Sequence, residues 1–348
     1  MAVTQKEIAT FLGISPQAVN FALGHRNKQV SLETRQRVIE AARRLGYRTN
    51  AAARAVSTGS FNAIGMLMSQ HHCQSTLFAQ TLRGIYEGIE ARGMHLTVTI
   101  IDDNRLTSGQ HLPKILGETM VDGLLLNYTH DIPPQMVELI DRHQIPAVWL
   151  NSKRPENGVY PDDEAAGYAA TRSLLAAGHR RISYLDLTAV LEKAHEWHYS
   201  RHDRRAGYAR AMLEAGHEPL AFISPGPLLH MKIVEQATRL LQDASAPTAV
   251  VAYGSEEASA VVQACARLGL EIGQDVSLVT FGEDQPLVGP KIETYRSPQR
   301  RLGRAAADML LARLDCGGQT MPSEALSFGV VPGLSVRRLS DADASRMQ

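Results

Sequence analysis

The sequence predicts two architectures in series: a small all-α head over about residues 1–48, and an α/β body over about residues 61–340 built on two doubly wound parallel sheets. Residues 49–60 join them. Three observations carry this reading. Residues 3–47 hold three short amphipathic segments, each opened by a capping residue. After Gly59, apolar strand-like runs alternate with amphipathic helical patterns. The charge is also divided: residues 1–60 carry nine Lys or Arg against three acids, which leaves 27 against 33 for the rest of a chain whose 36 cations and 36 acids cancel.

The first helix is expected over Gln5–Leu12, because Thr4 is a good N-cap and Glu7 three residues later completes a capping box. Gly13 supplies the left-handed residue that ends it. Ser15 caps a second helix over Pro16–Leu23, where proline in the first turn loses no hydrogen bond. Ile8, Phe11, Leu12, Ile14, Val19 and Leu23 form the expected small core, and Gln17, Asn20 and Phe21 stay on the outward face. A third helix runs from Ser31 or Leu32 to Leu45, with Val38, Ile39, Ala42 and Leu45 at helical spacing and Ser31 with Thr34 as its cap. Two helices joined by a tight turn on a basic segment make a helix-turn-helix, whose second helix enters the major groove of double-stranded DNA.

Residues 49–60, T-N-A-A-A-R-A-V-S-T-G-S, are rich in alanine and would form a helix too short to persist alone. In the body the order is I-G-M-L-M, a helix over Leu77–Arg92, H-L-T-V-T-I-I, a helix centred on Ile115, V-D-G-L-L-L-N-Y, a helix over Pro134–Arg142 and I-P-A-V-W-L-N. The alternation continues with Glu164–Ala177, R-I-S-Y-L-D-L, Arg204–Ala215, A-F-I-S-P, Lys232–Asp243, T-A-V-V-A-Y, Glu257–Leu268 and V-S-L-V-T-F. Such βα alternation gives parallel sheets covered on both faces, and this length needs two of them. Ligands of open α/β sheets bind beyond the carboxyl ends of the strands, so two facing sheets leave a cleft between lobes.

Composition narrows the function. A chain of 348 residues, 44% hydrophobic and 21% charged, exceeds one core. It has no apolar run of membrane-spanning length and no basic segment followed by an apolar stretch at its start, so it is expected to remain in the cytoplasm. Cys73, Cys265 and Cys316 lie far apart without a C-x-x-C spacing and read as reduced buried thiols. His195-Glu196-x-His198 is one residue short of the zinc-protease pattern. A loop over the cleft, with Trp197 and Tyr199 near ligand, is the functional reading of that stretch, and solvated surface histidines are the bland one. No nucleophile elbow, phosphate loop or dinucleotide loop occurs, so neither an enzyme nor a cofactor is indicated.

The motifs V-T-Q-K-E-I-A (3–9), G-I-S-P-Q-A-V (13–19), V-S-L-E-T-R-Q-R-V (30–38), A-A-R-R-L-G-Y-R-T-N (41–50) and A-R-A-V-S-T-G-S-F-N-A-I-G-M-L (53–67) follow in order. With G-H-R-R-I-S-Y-L (178–185) and D-R-R-A-G-Y-A-R-A-M-L-E-A-G (203–216), they make the chain resemble the lactose/galactose-repressor (LacI/GalR) family from about Val3 to Arg337. The resemblance implies a periplasmic-binding-protein-like effector domain whose chain crosses between lobes three times. The N-lobe is expected at about 61–161 and 293–321, and the C-lobe at about 162–292 and 322–340. It further implies an allosteric transcriptional repressor, a homodimer on a near-palindromic operator. The tail lacks leucine heptads for a tetramer.

By the same resemblance, Pro16, Gln17 and Phe21 occupy base-reading positions, with Asn20 and Gln5 beside them. Phe21 stands where arginine is frequent, so it offers only apolar contact, whereas the Gln17 amide can pair with adenine. Thr4, Ser15, Ser31, Thr34 and Tyr47 are phosphate contacts or plain caps. Residues 49–60 become a hinge helix, with Val56 where the family inserts a leucine wedge and Asn50, Ala53 and Arg54 nearby. Arg204 matches the arginine that clamps an effector oxygen. Asn151 can donate and accept, and Phe78 and Tyr128 are either stacking walls or lobe core. Ser255 and Glu283 stand where carboxylates are common in relatives: Gly254-Ser255, followed by Glu256, replaces an Asn-Asp pair, and Gly282-Glu283-Asp284 stands where many relatives have Asp-Asp. A sugar or sugar derivative therefore cannot simply be carried over as effector. An effector-insensitive or protein-modulated regulator, and an architectural DNA-binding protein, remain as alternatives.

Overall fold

The computed structural model describes residues 3–24, 29–48, 50, 55–56, 58–71, 75–187, 198–223, 230–283 and 290–339. The chain forms two compact units, Met1–Phe61 and Asn62–Gln348. In the first, α1 (Gln5–Leu12), α2 (Pro16–Leu23) and α3 (Leu32–Arg44) surround a core in which Ile8, Val19 and Val38 are fully buried. The capping box closes at both ends: the Glu7 amide donates to Thr4 Oγ1 at 3.3 Å and the Thr4 amide to Glu7 Oε2 at 2.6 Å. Gly13 takes φ 65°, which turns the chain so that the Ile14 amide donates to the Ala9 carbonyl at 3.1 Å. Phe11 departs from the expected core. It is half exposed, with the Arg44 guanidinium 5.7 Å from its ring centre, and alanines 9, 22, 41 and 42 fill the space instead. Small residues let three short helices pack closely.

Among the described residues, the second unit holds two six-stranded sheets. Its strands are β1 (Ala63–Ser69), β2 (His95–Ile101), β3 (Gly123–Asn127), β4 (Ala147–Leu150), β5 (Gly158–Pro161), β6 (Ile182–Asp186), β7 (Leu220–Ile223), β8 (Ala249–Ala252), β9 (Ser277–Gly282), β10 (Glu293–Arg296), β11 (Glu324–Leu326) and β12 (Gly329–Val331). The N-lobe sheet runs β11-β5-β4-β3-β1-β2, all parallel. The C-lobe sheet runs β12-β10-β9-β8-β6-β7, with β12 antiparallel. Alternate residues feed opposite faces: Ile182, Tyr184, Ala249 and Val251 pack under α8 (Asp163–Ala176) and α9 (Tyr199–Glu214), whereas Leu185, Val250 and Ala252 pack under α10 (His230–Gln242) and α11 (Ser255–Leu268). Every strand residue of β3, β4 and β6 is buried, as a two-sided sheet requires.

In the N-lobe, α4 (Ala79–Glu90) and α12 (Gln299–Asp315) cover one face, and the short α5 (Asp103–Thr107), α6 (Lys114–Gly117) and α7 (Pro134–Arg142) cover the other. Two helix crossings are closer than side chains permit. A Cβ on Gly84 would lie 2.0 Å from the Arg300 carbonyl oxygen, and a Cβ on Gly207 would lie 2.1 Å from that of Glu164. The approach is reciprocal in each lobe, since a Cβ on Gly303 would lie 2.0 Å from the Thr81 carbonyl oxygen and one on Gly167 would lie 2.2 Å from that of Arg204.

Pairing moves two lobe boundaries from their expected places. β10 pairs with β9 and belongs to the C-lobe, and β11 pairs with β5 and belongs to the N-lobe, so the crossings fall at 161–163, 296–299 and 326–329. Strand membership follows from long-range partners, which local patterning does not encode. Two other expectations are corrected. The helix expected from Arg204 begins at Tyr199, because His198 provides its cap, accepting from the Ser200 amide. Cys265 is buried, its thiol pushed by burial up to about 11, but Cys316 is exposed at the end of α12; Cys73 lies outside the described residues.

Candidate functional site

Ser15 accepts from the Ala18 amide at 3.1 Å and fixes the start of α2, so the helix presents Gln17 and Asn20 to solvent and leaves Phe21 half buried at their side. Val19 and Ala22, on the opposite face, are buried. Thr4, Ser15 and Ser31 all cap helices, with Thr34 accepting from the Ser31 hydroxyl at 2.9 Å; Tyr47 packs against the head core. Each cap stands at the positive end of a helix, where an anion is favoured. Pro16 is exposed and Gln5 is half buried. Beyond the head, the Gly59 amide donates to the Ala55 carbonyl at 2.7 Å, closing one helical turn in which Val56 is 90% exposed. Asn50 is exposed, while Ala53 and Arg54 lie outside the described residues.

In the body, the strand ends bring a second set of residues together. Asp163 opens α8 behind the Asp162 cap, and Arg204 lies one turn and a half into α9. Its Nε donates to Asp163 Oδ1 at 2.7 Å and its Nη1 to the Tyr253 carbonyl at 2.7 Å. The guanidinium lies 4.8 Å from the ring centres of both Tyr253 and Phe281, with Phe328 at 5.7 Å. Burial pushes the Asp163 carboxyl upward against the pull of Arg204. The expected clamp is thus already committed within the protein. One turn earlier Arg201 forks onto Asp186, at 2.9 and 2.6 Å. A helix places residues three apart on one face, so the two arginines are delivered side by side.

Of the two readings of Tyr128, stacking wall or lobe core, the structure gives lobe core. It is fully buried, with its hydroxyl donating to Asp103 Oδ1 at 2.7 Å, and the Ser69 hydroxyl donates to the other oxygen of that carboxylate. Phe78, at the N-cap of α4, is 37% exposed. Ser255 is exposed at the start of α11, and its hydroxyl lies beside Gly282, where a Cβ would be 3.4 Å away; Glu283 follows directly, half buried. Ser255 and Glu283 thus follow the carboxyl ends of β8 and β9, where open α/β sheets place their binding crevice.

Asn151, at φ 54° beyond β4, accepts from the Tyr199 hydroxyl at 3.0 Å. Lys153 Nζ reaches Asp203 Oδ2 at 2.6 Å, and that carboxylate holds the ammonium above its ordinary range. His198 is not a solvated surface histidine. Its ring centre is 4.4 Å from that of Tyr199, and burial together with Arg204 and His130 pushes it down to about 3. Because Nδ1 accepts from the Ser200 amide at 3.2 Å, the ring proton sits on Nε2. His195, Glu196 and Trp197 lie outside the described residues. Lys153, Asp163, Arg201 and Asp203 were missed in the sequence. The i, i+3 spacing of Arg201 and Arg204 was the signal that could have flagged one of them.

Comparison with known proteins accords with this layout. Residues 171–336 match the family model of the periplasmic binding protein-like domain. The chain is 26% identical over 318 residues to the HTH-type transcriptional repressor PurR of Aliivibrio salmonicida (strain LFI1238), covering 89% of this chain and 92% of that protein. It is 27% identical over 322 residues to PurR of Vibrio campbellii (strain ATCC BAA-1116), with the same coverage. Among solved structures, the lac repressor dimer bound to operator and the anti-inducer ONPF superposes with a TM-score of 0.77 at 22% identity, over 97% of this chain and 100% of that one. The complex of the transcriptional regulator CelR with cellobiose gives 0.62 at 22% identity, over 96% and 99%.

Proposed function

From membership of the lactose/galactose-repressor (LacI/GalR) family, to which this chain belongs, we propose a transcriptional repressor that binds a near-palindromic operator as a homodimer and is modulated by a small molecule held between its lobes. The observation that carries the reading is α2: a capped helix with Gln17 and Asn20 exposed, on a head with a charge balance of +6, fused to a two-lobed body. Gln17 and Asn20 read base edges, and Phe21 packs against a thymine methyl. Thr4, Ser15, Ser31, Thr34 and Tyr47 position the head on phosphates, and Pro16 and Gln5 stand with the base-reading residues. Val56, exposed on its helical turn, is the wedge for a minor-groove step, with Asn50, Ala53 and Arg54 near it in sequence.

The second copy pairs along the sheet edges. β2 presents Val98 and Ile100 to solvent and β7 presents Leu220, Phe222 and Ile223, an exposed apolar surface that a soluble monomer would keep small. In the cleft, Phe78, Asn151, Ser255, Glu283 and the Arg204 face receive the effector, a sugar or another polar metabolite. The protein acts by binding and not by catalysis, on DNA in the cytoplasm. No helix among the described residues is long and apolar enough to cross a membrane. Effector binding changes the angle between lobes and moves the two hinge segments, and the coupling is reciprocal: operator alters effector affinity by the same factor.

Operator selection from random DNA, followed by a thermal-shift screen of sugars, sugar acids, nucleobases and amino acids, tests this. A selected palindrome and a stabilising ligand that shifts its binding are the expected result. A palindrome without any responding ligand would favour an effector-insensitive or protein-modulated regulator, and no selected sequence would favour an architectural protein.

A further inference from the structure

The cleft is crossed by the protein's own side chains. Tyr199 and Asp203 stand one turn apart at the start of α9 in the C-lobe, and each reaches the turn that follows β4 in the N-lobe. The Tyr199 hydroxyl donates to Asn151 Oδ1 at 3.0 Å, and Lys153 Nζ donates to Asp203 Oδ2 at 2.6 Å. Tyr160, on β5 of the N-lobe, packs edge-on to the Tyr199 ring at 6.0 Å. The His198 ring lies tilted against that of Tyr199, with centres 4.4 Å apart. The receiving turn is itself fixed, since the Asn151 amide donates to the Val159 carbonyl at 2.8 Å and Asn151 holds a left-handed φ that asparagine tolerates.

We propose that these contacts form an inter-lobe latch, so that Tyr199, Asn151, Lys153 and Asp203 set the angle between the lobes. A ligand entering the cleft must then exchange its own hydrogen bonds for those of the latch. Its effect on the lobes is limited to the difference between the two sets. This inference rests on the reading that the cleft takes the effector. Among the described residues, His202 Nδ1 lies 3.3 Å from Asp203 Oδ1 and Lys153 holds Oδ2.

The test uses the full-length, ligand-free protein. A carbodiimide activates a carboxylate, and an amine in contact displaces the urea to leave an amide with net loss of water, so Lys153 and Asp203 should be recovered as one cross-linked peptide. In parallel, hydrogen exchange is followed in Tyr199→Phe/Lys153→Met, which keeps both side-chain volumes. Amides of the 151–157 turn and of the first turn of α9 should exchange at least tenfold faster than in the unmodified protein. Absence of the cross-linked peptide, or exchange within twofold of the unmodified protein in the double variant, would overturn the latch. Lys153→Met alone, at a side chain 44% exposed, serves as the variant certain to fold, and it should lose part of the protection. Operator selection with the same preparation separates the two ideas: a protein that selects no operator yet cross-links sinks the regulator and leaves the latch standing.

Discussion

Arg204 is the residue on which sequence reasoning placed most weight, and its surroundings change what a substitution there reports. Its Nε and Nη1 are spent on Asp163 and the Tyr253 carbonyl, and aromatic rings enclose the guanidinium. Truncating it leaves a carboxylate that is 1% exposed without its partner. Arg204→Ala should therefore destabilise the protein by about 3–5 kcal/mol. Arg204→Met with Asp163→Leu should recover most of that, as measured by denaturant unfolding. A loss of effector response in the single variant would otherwise be mistaken for a lost contact. Gln17 gives a cleaner experiment, since it is exposed and caps nothing. Gln17→Ala should cost about 1–3 kcal/mol against the selected operator and relax preference at one base pair per half-site. Binding to operator variants would show it, and equal weakening on every sequence would make Gln17 a phosphate contact instead.

At the scale of elements, the two lobes are built on the same device, a pair of helices pressed together through glycine. In the C-lobe, α8 and α9 approach so closely that a methyl on Gly207 would stand 2.1 Å from the Glu164 carbonyl oxygen and 2.6 Å from the Tyr168 amide nitrogen. Backbone cannot yield as a flexible side chain does. Gly207→Ala should thus force the helices apart at a cost of about 1–3 kcal/mol or more, visible as a lower thermal midpoint. The same displacement carries Arg201, Arg204 and the start of α9 with it, so the cleft should suffer together with stability. The opposing contribution is small: alanine is the better helix former by about 1 kcal/mol, which would show as stabilisation only if the crossing were loose.

For the whole molecule, the C-lobe depends on a histidine far from any site. His179 is fully buried, its Nε2 donating to the Arg337 carbonyl at 3.2 Å with the Thr248 hydroxyl 2.9 Å from Nδ1, and burial pushes it down to about 4. The unfolded imidazole takes its proton near pH 6.5, so between the two values protons favour the unfolded chain. Stability is full above about pH 6.5 and is lost as pH falls toward 4, by up to about 3 kcal/mol from this group. Thermal unfolding between pH 7 and 4.5 should show the fall, and His179→Gln should flatten it. A profile unchanged by that variant would mean that other groups dominate. The sequence by itself determined the head: its helix limits, caps and outward face are set by contacts within a few residues, and α1 and α2 coincide with the expected Gln5–Leu12 and Pro16–Leu23. It also determined the alternation of strands and helices, because side-chain period is a local property. Tertiary structure alone decided which strands share a sheet, that Tyr128 and Arg204 turn inward, that Phe11 lies outside the core, and that Tyr199 and Lys153 meet residues of the opposite lobe. Lys153 and Asp203 are 50 positions apart in the chain, and no local pattern sets a distance of 2.6 Å between groups that only the crossing of three connections brings together.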